Sequence, residues 1–355
     1  MIGLFFCGDL KYCPYINRYI ERLEIQSKKY NIYFWNRSGE KLSLSENYIY
    51  YNKSSELNKS KMEKIFDFIN YQKWCVSRIN SDNLSKVIIL STLDGVLLGN
   101  ILRKKRIPYV FDIRDYSFEH IPFFKFIEKS VIKHSVFTAI SSKGFYNFLP
   151  KYDYTIAHNF NRHEKRKQHI FKKRGKPIKI VWNGVMRFFH FQKKYIDALK
   201  NDSRFLMIYH GDGPEFELYK SYCKKEKIKN VIFTGVYDNK DKEKLLSEAD
   251  ILNNCYGYLK NEGSKLKYAI SNKFYDGIIY HIPQLVEPKG YKTDLVVTEK
   301  LGINYKADKN FANQLYHYYN KINEKEFDKR CDKILETIIL EDDLYIENID
   351  KFLLS

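Results

Sequence analysis

The sequence predicts an α/β protein built from two doubly wound domains. Short β-like runs alternate with longer amphipathic stretches, the pattern of parallel sheets assembled from βαβ units. Residues 87–90 (VIIL) are apolar throughout, as a strand covered on both faces should be. A basic segment of poor periodicity, residues 162–179, interrupts the alternation, which then restarts. At 355 residues the chain is long enough for two domains of ~150 residues each.

In the first half, strands are expected at 2–6, 30–35, 87–90, 109–111, 136–140 and 154–157. Helices are expected at 14–29, 61–80, 95–105 and 123–134. The basic segment reads as a linker with exposed flanks. Beyond it, strands are expected at 178–182, 206–210, 231–233, 251–253 and 284–286. The tail from Phe311 onward reads as helical, and residues 343–354 place Leu344, Ile346, Ile349, Phe352 and Leu353 close to helical spacing. No internal repeat is present.

Composition narrows the possibilities. Hydrophobic residues make up 44%, which supports a packed core rather than disorder. The six cysteines form no CxxC pair and stand near no histidine at ligand spacing, so reduced thiols are expected. Residues 1–6 read as a first strand without a basic leader, so no signal peptide is expected. The longest apolar stretch, 87–102, is broken by Ser91, Thr92, Asp94 and Asn100 and is shorter than the ~20 residues a membrane span needs. The formal charge of +18 suits phosphorylated substrates, anionic lipid or nucleic acid, although lysine-rich composition accounts for part of it. No RNP, KH or zinc-finger pattern occurs and the basic residues are dispersed, so nucleic acid is not the expected partner.

The second half carries most of the chemistry. Strand 206–210 runs into Gly211-Asp212-Gly213-Pro214-Glu215, where glycines let the backbone turn tightly and a ligand approach, and Pro214 suits a first helical position. The same turn could simply join a strand to a helix. Strand 231–233 leads to Gly235 and Tyr237, a ring that either holds a flat base or lies on the surface. Asn183 and Gly184 end the first strand of this half, and Arg187 follows, a residue suited to bidentate phosphate binding. Lys193 and Lys194 stand nearby as second cations or as solvated lysines. Finally, ISNKFYDG (270–277) opens a helix-like stretch before Pro283 and an apolar strand. The first amides of a helix lack internal partners and its dipole favours an anion. A helix starting near Asn272 would therefore present an anion site reinforced by Lys273. An ordinary first turn, with Asp276 favourable to the dipole, is the alternative.

In order and spacing, Gly211–Glu215, Val231–Gly235, Leu245–Ile251 and Asn272–Val286 resemble the donor half of GT-B glycosyltransferases of the large family four type, over roughly residues 178–305. Phe111-Asp112-Ile113-Arg114-Asp115 resembles that family's D-x-R-D turn. The resemblance implies two Rossmann-like domains facing a central cleft. Residues 1–165 would bind the acceptor and 166–335 the nucleotide-sugar donor, while 336–355 would form a C-terminal helix crossing back to the first domain. It implies a nucleotide diphosphate at the start of the Asn272 helix, with Asp276 taking the ribose hydroxyls where the family usually has Glu. Gly184, Arg187, Lys193, Gly211, Gly213, Gly235, Tyr237, Asn272, Lys273 and Asp276 form the implied donor site. Many members carry a second acid before the ribose acid, with seven residues between the two; here Tyr268 holds that place, so the paired signature is absent. Glu262, Gly263 and Ser264 stand close enough in sequence to give backbone contacts to the sugar.

On the acceptor side, Gly8 and Asp9 follow the first strand, and Asp112, Arg114 and Asp115 sit where the fourth should end. An Asp–Arg pair there could equally just fix the loop. Asp115, His120 and Arg187 are the candidate catalytic groups. No D-x-D motif follows an apolar strand, so no metal and no cofactor is expected; helix dipole and basic side chains would carry the leaving diphosphate. The expected activity is metal-independent transfer of a sugar from a UDP-sugar to a saccharide or lipid-linked oligosaccharide in capsule, exopolysaccharide or lipopolysaccharide assembly, with retention of configuration as in most of the resembled family, or with inversion, for which a carboxylate or His of the first domain must take the acceptor proton. A UDP-sugar 2-epimerase on the same fold and a basic nucleic-acid binder are the alternatives. The expected location is cytoplasmic, with peripheral attachment to the inner face of the membrane. The stretch 123–134 spaces Lys125, Lys129 and Lys133 beside Phe124, Ile127, Val131 and Ile132, which suits either an anionic bilayer or a solvated face.

Overall fold

The computed structural model describes residues 1–55, 60–160, 177–257 and 263–355. The chain divides into two compact units, residues 1–158 with 340–355, and residues 159–339. The domain break read at 165/166, most of the basic segment 162–179, and Glu262 lie outside the described residues.

The first unit holds β1 (Ile2–Phe6), α1 (Ile16–Ile25), β2 (Tyr30–Asn36), β3 (Tyr48–Asn52), α2 (Lys61–Ser81), β4 (Lys86–Ile89), α3 (Thr92–Lys104), β5 (Tyr109–Ile113), α4 (Pro122–His134), β6 (Thr138–Ile140) and β7 (Thr155–Ile156). Its sheet is parallel with order β3-β2-β1-β4-β5-β6-β7. β3 has no counterpart in the sequence reading. It is an edge strand whose residues are only half buried, so no apolar run marks it. Helix α1 stops at Ile25 rather than 29, because Ser27 turns left-handed (φ 51°). Helix α3 starts three residues before the expected 95, where Ser91 accepts from the Asp94 amide as its cap.

The second unit holds β8 (Ile178–Asn183), α5 (Phe189–Leu199), β9 (Phe205–His210), α6 (Phe216–Lys225), β10 (Val231–Gly235), α7 (Lys242–Ser247), β11 (Ile251–Asn254), α8 (Gly263–Tyr268), α9 (Asn272–Ile279), β12 (Gln284–Val286), α10 (Tyr291–Thr298), β13 (Gly302–Ile303) and α11 (Phe311–Asn320). Its parallel sheet runs β10-β9-β8-β11-β12-β13, so the strand order reverses between β8 and β11. Ligands of such sheets bind past the strand C-termini at that reversal.

Helix α12 (Glu324–Leu354) runs through the 335/336 division that the sequence suggested. Its first half gives Phe327, Cys331 and Leu335 to the core of the second unit. Its last turns give Tyr345, Ile349 and Phe352 to the core of the first. There Arg22 donates twice to Asp350, at 2.8 and 2.6 Å. All six cysteines are buried and unbridged. No described helix is long and apolar enough to cross a membrane.

Candidate functional site

Of the sequence-predicted donor residues, Gly184, Arg187, Tyr237, Lys273 and Asp276 gather at the β8/β11 reversal of the second unit. β8 ends at Asn183, and Gly184 follows at φ 121°, a conformation that favours glycine. β11 ends at Asn254 and delivers Tyr256. α9 begins at Asn272, where the sequence places it. Its N-cap Ser271 makes no side-chain bond to the helix; its hydroxyl donates to Asn254 Oδ1 at 2.7 Å. The first turn is thus left without a side-chain cap.

Lys273 lies on the buried side of this helix start, 4% exposed. Its Nζ donates to the Tyr256 hydroxyl (2.9 Å) and sits 3.6 Å from the centre of the Trp182 ring and 4.7 Å from that of Tyr256. A Cβ on Gly184 would come within 3.7 Å of that ammonium. Burial, then Lys292, push Lys273 well below the usual lysine range; Asp276 raises it and Arg187 lowers it again. Lys292 is also buried. It pairs with Glu287 at 3.0 Å, donates to the Asn254 carbonyl at 2.6 Å and lies over the Tyr256 ring.

Asp276 is 4% exposed, one turn into α9. Lys242 Nζ approaches its Oδ1 at 2.7 Å and Asn183 Nδ2 donates to its Oδ2 at 3.2 Å. The other side-chain atom of Asn183, Oδ1, is buried and has no hydrogen-bond partner among the described residues, an acceptor left for a donor outside the fold. Tyr237 is half buried nearby; burial, then Asp276, raise its hydroxyl above the usual range. Four basic side chains (Arg187, Lys242, Lys273, Lys292) thus meet two carboxylates, Asp276 and Glu287. An anion would offset this surplus of positive charge, which adds to the larger effect of burial in lowering Lys273.

Other predicted residues stand elsewhere or serve the scaffold. Gly211 (φ 126°) and Gly213 are packing positions: a Cβ would meet Gly184 O at 2.1 Å or Met186 O at 2.6 Å. In the same motif, Glu215 caps α5 by accepting from the Phe189 amide at 2.7 Å. Gly235 needs glycine for its φ of 78°, and a Cβ there would meet nothing within 4 Å. Lys193 is turned to Asp197 (2.5 Å) and the Tyr222 ring, away from the described partners of Lys273. Arg187 is exposed, with its guanidinium 5.6 Å from the centre of the Phe188 ring. Asn272 is exposed and accepts from Asn159 at 2.6 Å.

In the first unit, Asp112 is fully buried and both of its oxygens are taken. Arg114 grips it at 2.5 and 2.8 Å, and the hydroxyls of Tyr19 and Tyr345 donate to it at 2.9 and 3.2 Å. Arg114 also donates to the Ala157 carbonyl at 2.8 Å. This pair ties β5 to α1, α12 and the segment after β7, the loop-fixing alternative of the sequence reading. Asp115 and His120 are exposed in the loop after β5, with His120 stacked at 6.4 Å on Tyr116. Gly8 and Asp9 form the loop after β1, where Asp9 accepts from the Arg37 amide at 2.8 Å. Among the described residues, no group of three or more His, Cys, Asp or Glu could hold a metal ion.

Sequence reasoning passed over Trp182, Lys242, Tyr256, Glu287 and Lys292. Tyr256 and Glu287 each stand just past the C-terminal end of a parallel strand, and that position was the available signal.

No protein-family model matches the chain, and no curated protein matches it in sequence. Solved structures match it along its whole length. A glycosyltransferase from Rickettsia africae is similar at 12% identity and TM-score 0.68, covering 99% of this chain and 98% of its own. Anabaena HepE in complex with UDP is similar at 11% identity and TM-score 0.66, over 99% and 100%. The lipopolysaccharide outer core galactosyltransferase WaaB is similar at 15% identity and TM-score 0.65, over 100% and 99%. These likenesses show the fold: the chain has the GT-B architecture, with two Rossmann-like parallel sheets of seven and six strands.

Proposed function

We propose that the protein is a glycosyltransferase that moves a sugar from a UDP-sugar to a saccharide acceptor, lipid-linked and part of bacterial surface polysaccharide assembly on the cytoplasmic face of the membrane. The observation that carries this reading is the convergence of Arg187, Lys273 and Lys292 at the uncapped start of α9, with Asp276 one turn in. Support comes also from fold relatives: HepE is crystallised with UDP and with UDP-glucose, and WaaB is a galactosyltransferase of the lipopolysaccharide core.

In the proposed reaction, the bond from the sugar's anomeric carbon to the diphosphate breaks, and its electron pair leaves with UDP. A bond forms from the acceptor oxygen to that carbon. The acceptor proton passes to the departing phosphate, with retention of configuration and without a metal. Arg187, Lys273 and the α9 amides offset the charge that grows on the diphosphate, where fixed donors help most. Asp276 takes the ribose hydroxyls, and the Tyr237 ring lies against the base. Residues 166–335 hold the donor in this reading and residues 1–165 the acceptor, with the exposed Asp115 and His120 at the acceptor hydroxyl.

The test is incubation with UDP-sugars in the presence and absence of a lipid extract, with products resolved by mass. Sugar transfer and UDP release that require the lipid support the proposal. Conversion of UDP-GlcNAc to an isomer without acceptor would replace it with a 2-epimerase.

A further inference from the structure

Strand β10 forms an edge of the second sheet: β9 pairs with one side of it, and among the described residues no strand pairs with the other. Helices normally cover both faces of a doubly wound sheet. On one face of β10, Phe233 packs against Phe216 and Tyr219 of α6. On the other, Ile232 is 44% exposed, and Val236, just past the strand, is 79% exposed. Charged residues and proline are the usual means of blunting such an edge, and β10 (VIFTG) contains neither.

A groove of about 710 Å³ lies beside this edge, between α6 and β10. Ile228, Val231 and Phe233 give it an apolar lining, and Lys220, Lys224, Lys227 and Lys229 a basic one. The turn between helix and strand sets this division. Lys227 ends α6 in the left-handed conformation (φ 50°), and the Ile228 amide donates back to the Cys223 carbonyl at 2.9 Å. Ile228 is thereby buried, while the lysines on either side of it stay exposed. The acids nearby are already engaged: Glu217 pairs with Lys220 at 3.3 Å and Glu226 with Lys200 at 3.8 Å. Lys224, Lys227 and Lys229 form no ion pair with a described carboxylate. None of these residues belongs to the donor site, which lies past the opposite end of β10, where Tyr237 follows the strand.

From this arrangement we infer that the groove beside β10 docks an extended acidic segment of a partner protein, which adds a strand to the open edge of the sheet. Main-chain groups of β10 hold the segment's backbone, its alternate side chains lie over Val231 and Phe233, and its carboxylates meet the unpaired lysines. The five residues of β10 span about 17 Å, so the segment is about five or six residues long. A second copy of this chain, paired β10 to β10, would set Lys224, Lys227 and Lys229 against their own counterparts. A nucleic acid would use the cations and leave the strand edge unpaired. The inference does not depend on the sugar-transfer reading.

The test is fluorescence anisotropy of a labelled peptide of alternating glutamate and valine, about six residues long, titrated with the full chain at about 0.15 M salt. Binding is expected, and K224E/K229E should weaken it by more than about tenfold. Both substitutions change exposed side chains, and circular dichroism checks the folding of the variant. The same peptide with alternate amides N-methylated keeps its charge but cannot pair with a strand, and should bind at least about tenfold more weakly. Failure of the wild-type chain to bind the acidic peptide below about 1 mM overturns the inference. So does equal binding of the N-methylated peptide, or equally tight binding of a thymidylate oligonucleotide of the same charge, either of which would reduce the groove to bulk charge. Binding that the folded K224E/K229E variant retains in full would place the peptide elsewhere and overturn it too.

Discussion

Replacing Glu128 with Gln should stabilise the first unit, increasingly so as pH rises. Glu128 lies on the inner side of α4, fully buried, and neither carboxyl oxygen has a hydrogen-bond partner among the described residues. Burial, with Glu119 adding to it and Lys125 opposing it, raises its carboxyl to about 8. Glu119 is itself buried, with one oxygen unpartnered among the described residues, and Tyr154 is the phenol whose ionisation Glu128 opposes. An acid whose pKa is raised on folding contributes stability that is complete below its unfolded value, near 4.5, and is lost as pH rises through about 8. A tenfold change in proton affinity on folding is worth about 1.4 kcal/mol, so the wild-type first unit should lose roughly 3 kcal/mol between about pH 5 and about pH 8 from this group alone. Gln has nearly the same shape and does not titrate. The assay is urea unfolding of wild type and E128Q in a Trp182→Phe background, where Trp35 and Trp74 report on the first unit alone. The stability gap should be small at about pH 5 and open towards about pH 8. A gap that stays constant across that range would refute the reasoning.

Three further outcomes follow from the geometry. Because Lys273 is buried at the α9 start, with burial and then Lys292 lowering it below the usual lysine range, Lys273→Met should weaken binding of a nucleoside diphosphate by about tenfold or more, read by calorimetry. Gly211→Ala should cost the second unit about 3 kcal/mol or more, since its Cβ would meet Gly184 O at 2.1 Å in a left-handed conformation; thermal unfolding measures this. Asp112→Ala should cost the first unit about 3–5 kcal/mol by leaving Arg114 buried without its carboxylate, read from the urea midpoint.

The parts of the molecule that were legible in the sequence share one physical property. Strand C-termini followed by glycine, and a polar helix start ahead of an apolar strand, are local signals, and they located β8, β9, β12 and α9. The Lys273 cage was not legible, because Trp182, Tyr256 and Lys292 come from three separate elements and meet only through the β8/β11 reversal. Strand β3 was missed because an edge strand of half-buried tyrosines carries no two-sided apolar run. GDGPE was legible as a turn, whereas its use was not: Gly211 and Gly213 make room for the adjoining backbone and Glu215 caps α5. In α2, apolar residues on two opposite faces read as one helix, and only the packed structure separates the buried stripe from the exposed one.

The most direct test of the donor-site proposal is a calorimetric titration with UDP, GDP, ADP and CMP, without added metal, of the wild-type chain and Asp276→Ala. The account predicts selective UDP binding that the variant weakens by about 1.5–3 kcal/mol, the scale of hydrogen bonds to a charged group. Circular dichroism confirms that the variant folds despite losing its contact to Lys242. UDP binding that is equally tight in a folded Asp276→Ala would remove Asp276 from the site. Absence of any nucleotide binding by the folded wild-type chain would contradict the reading of the α9 start as a phosphate site.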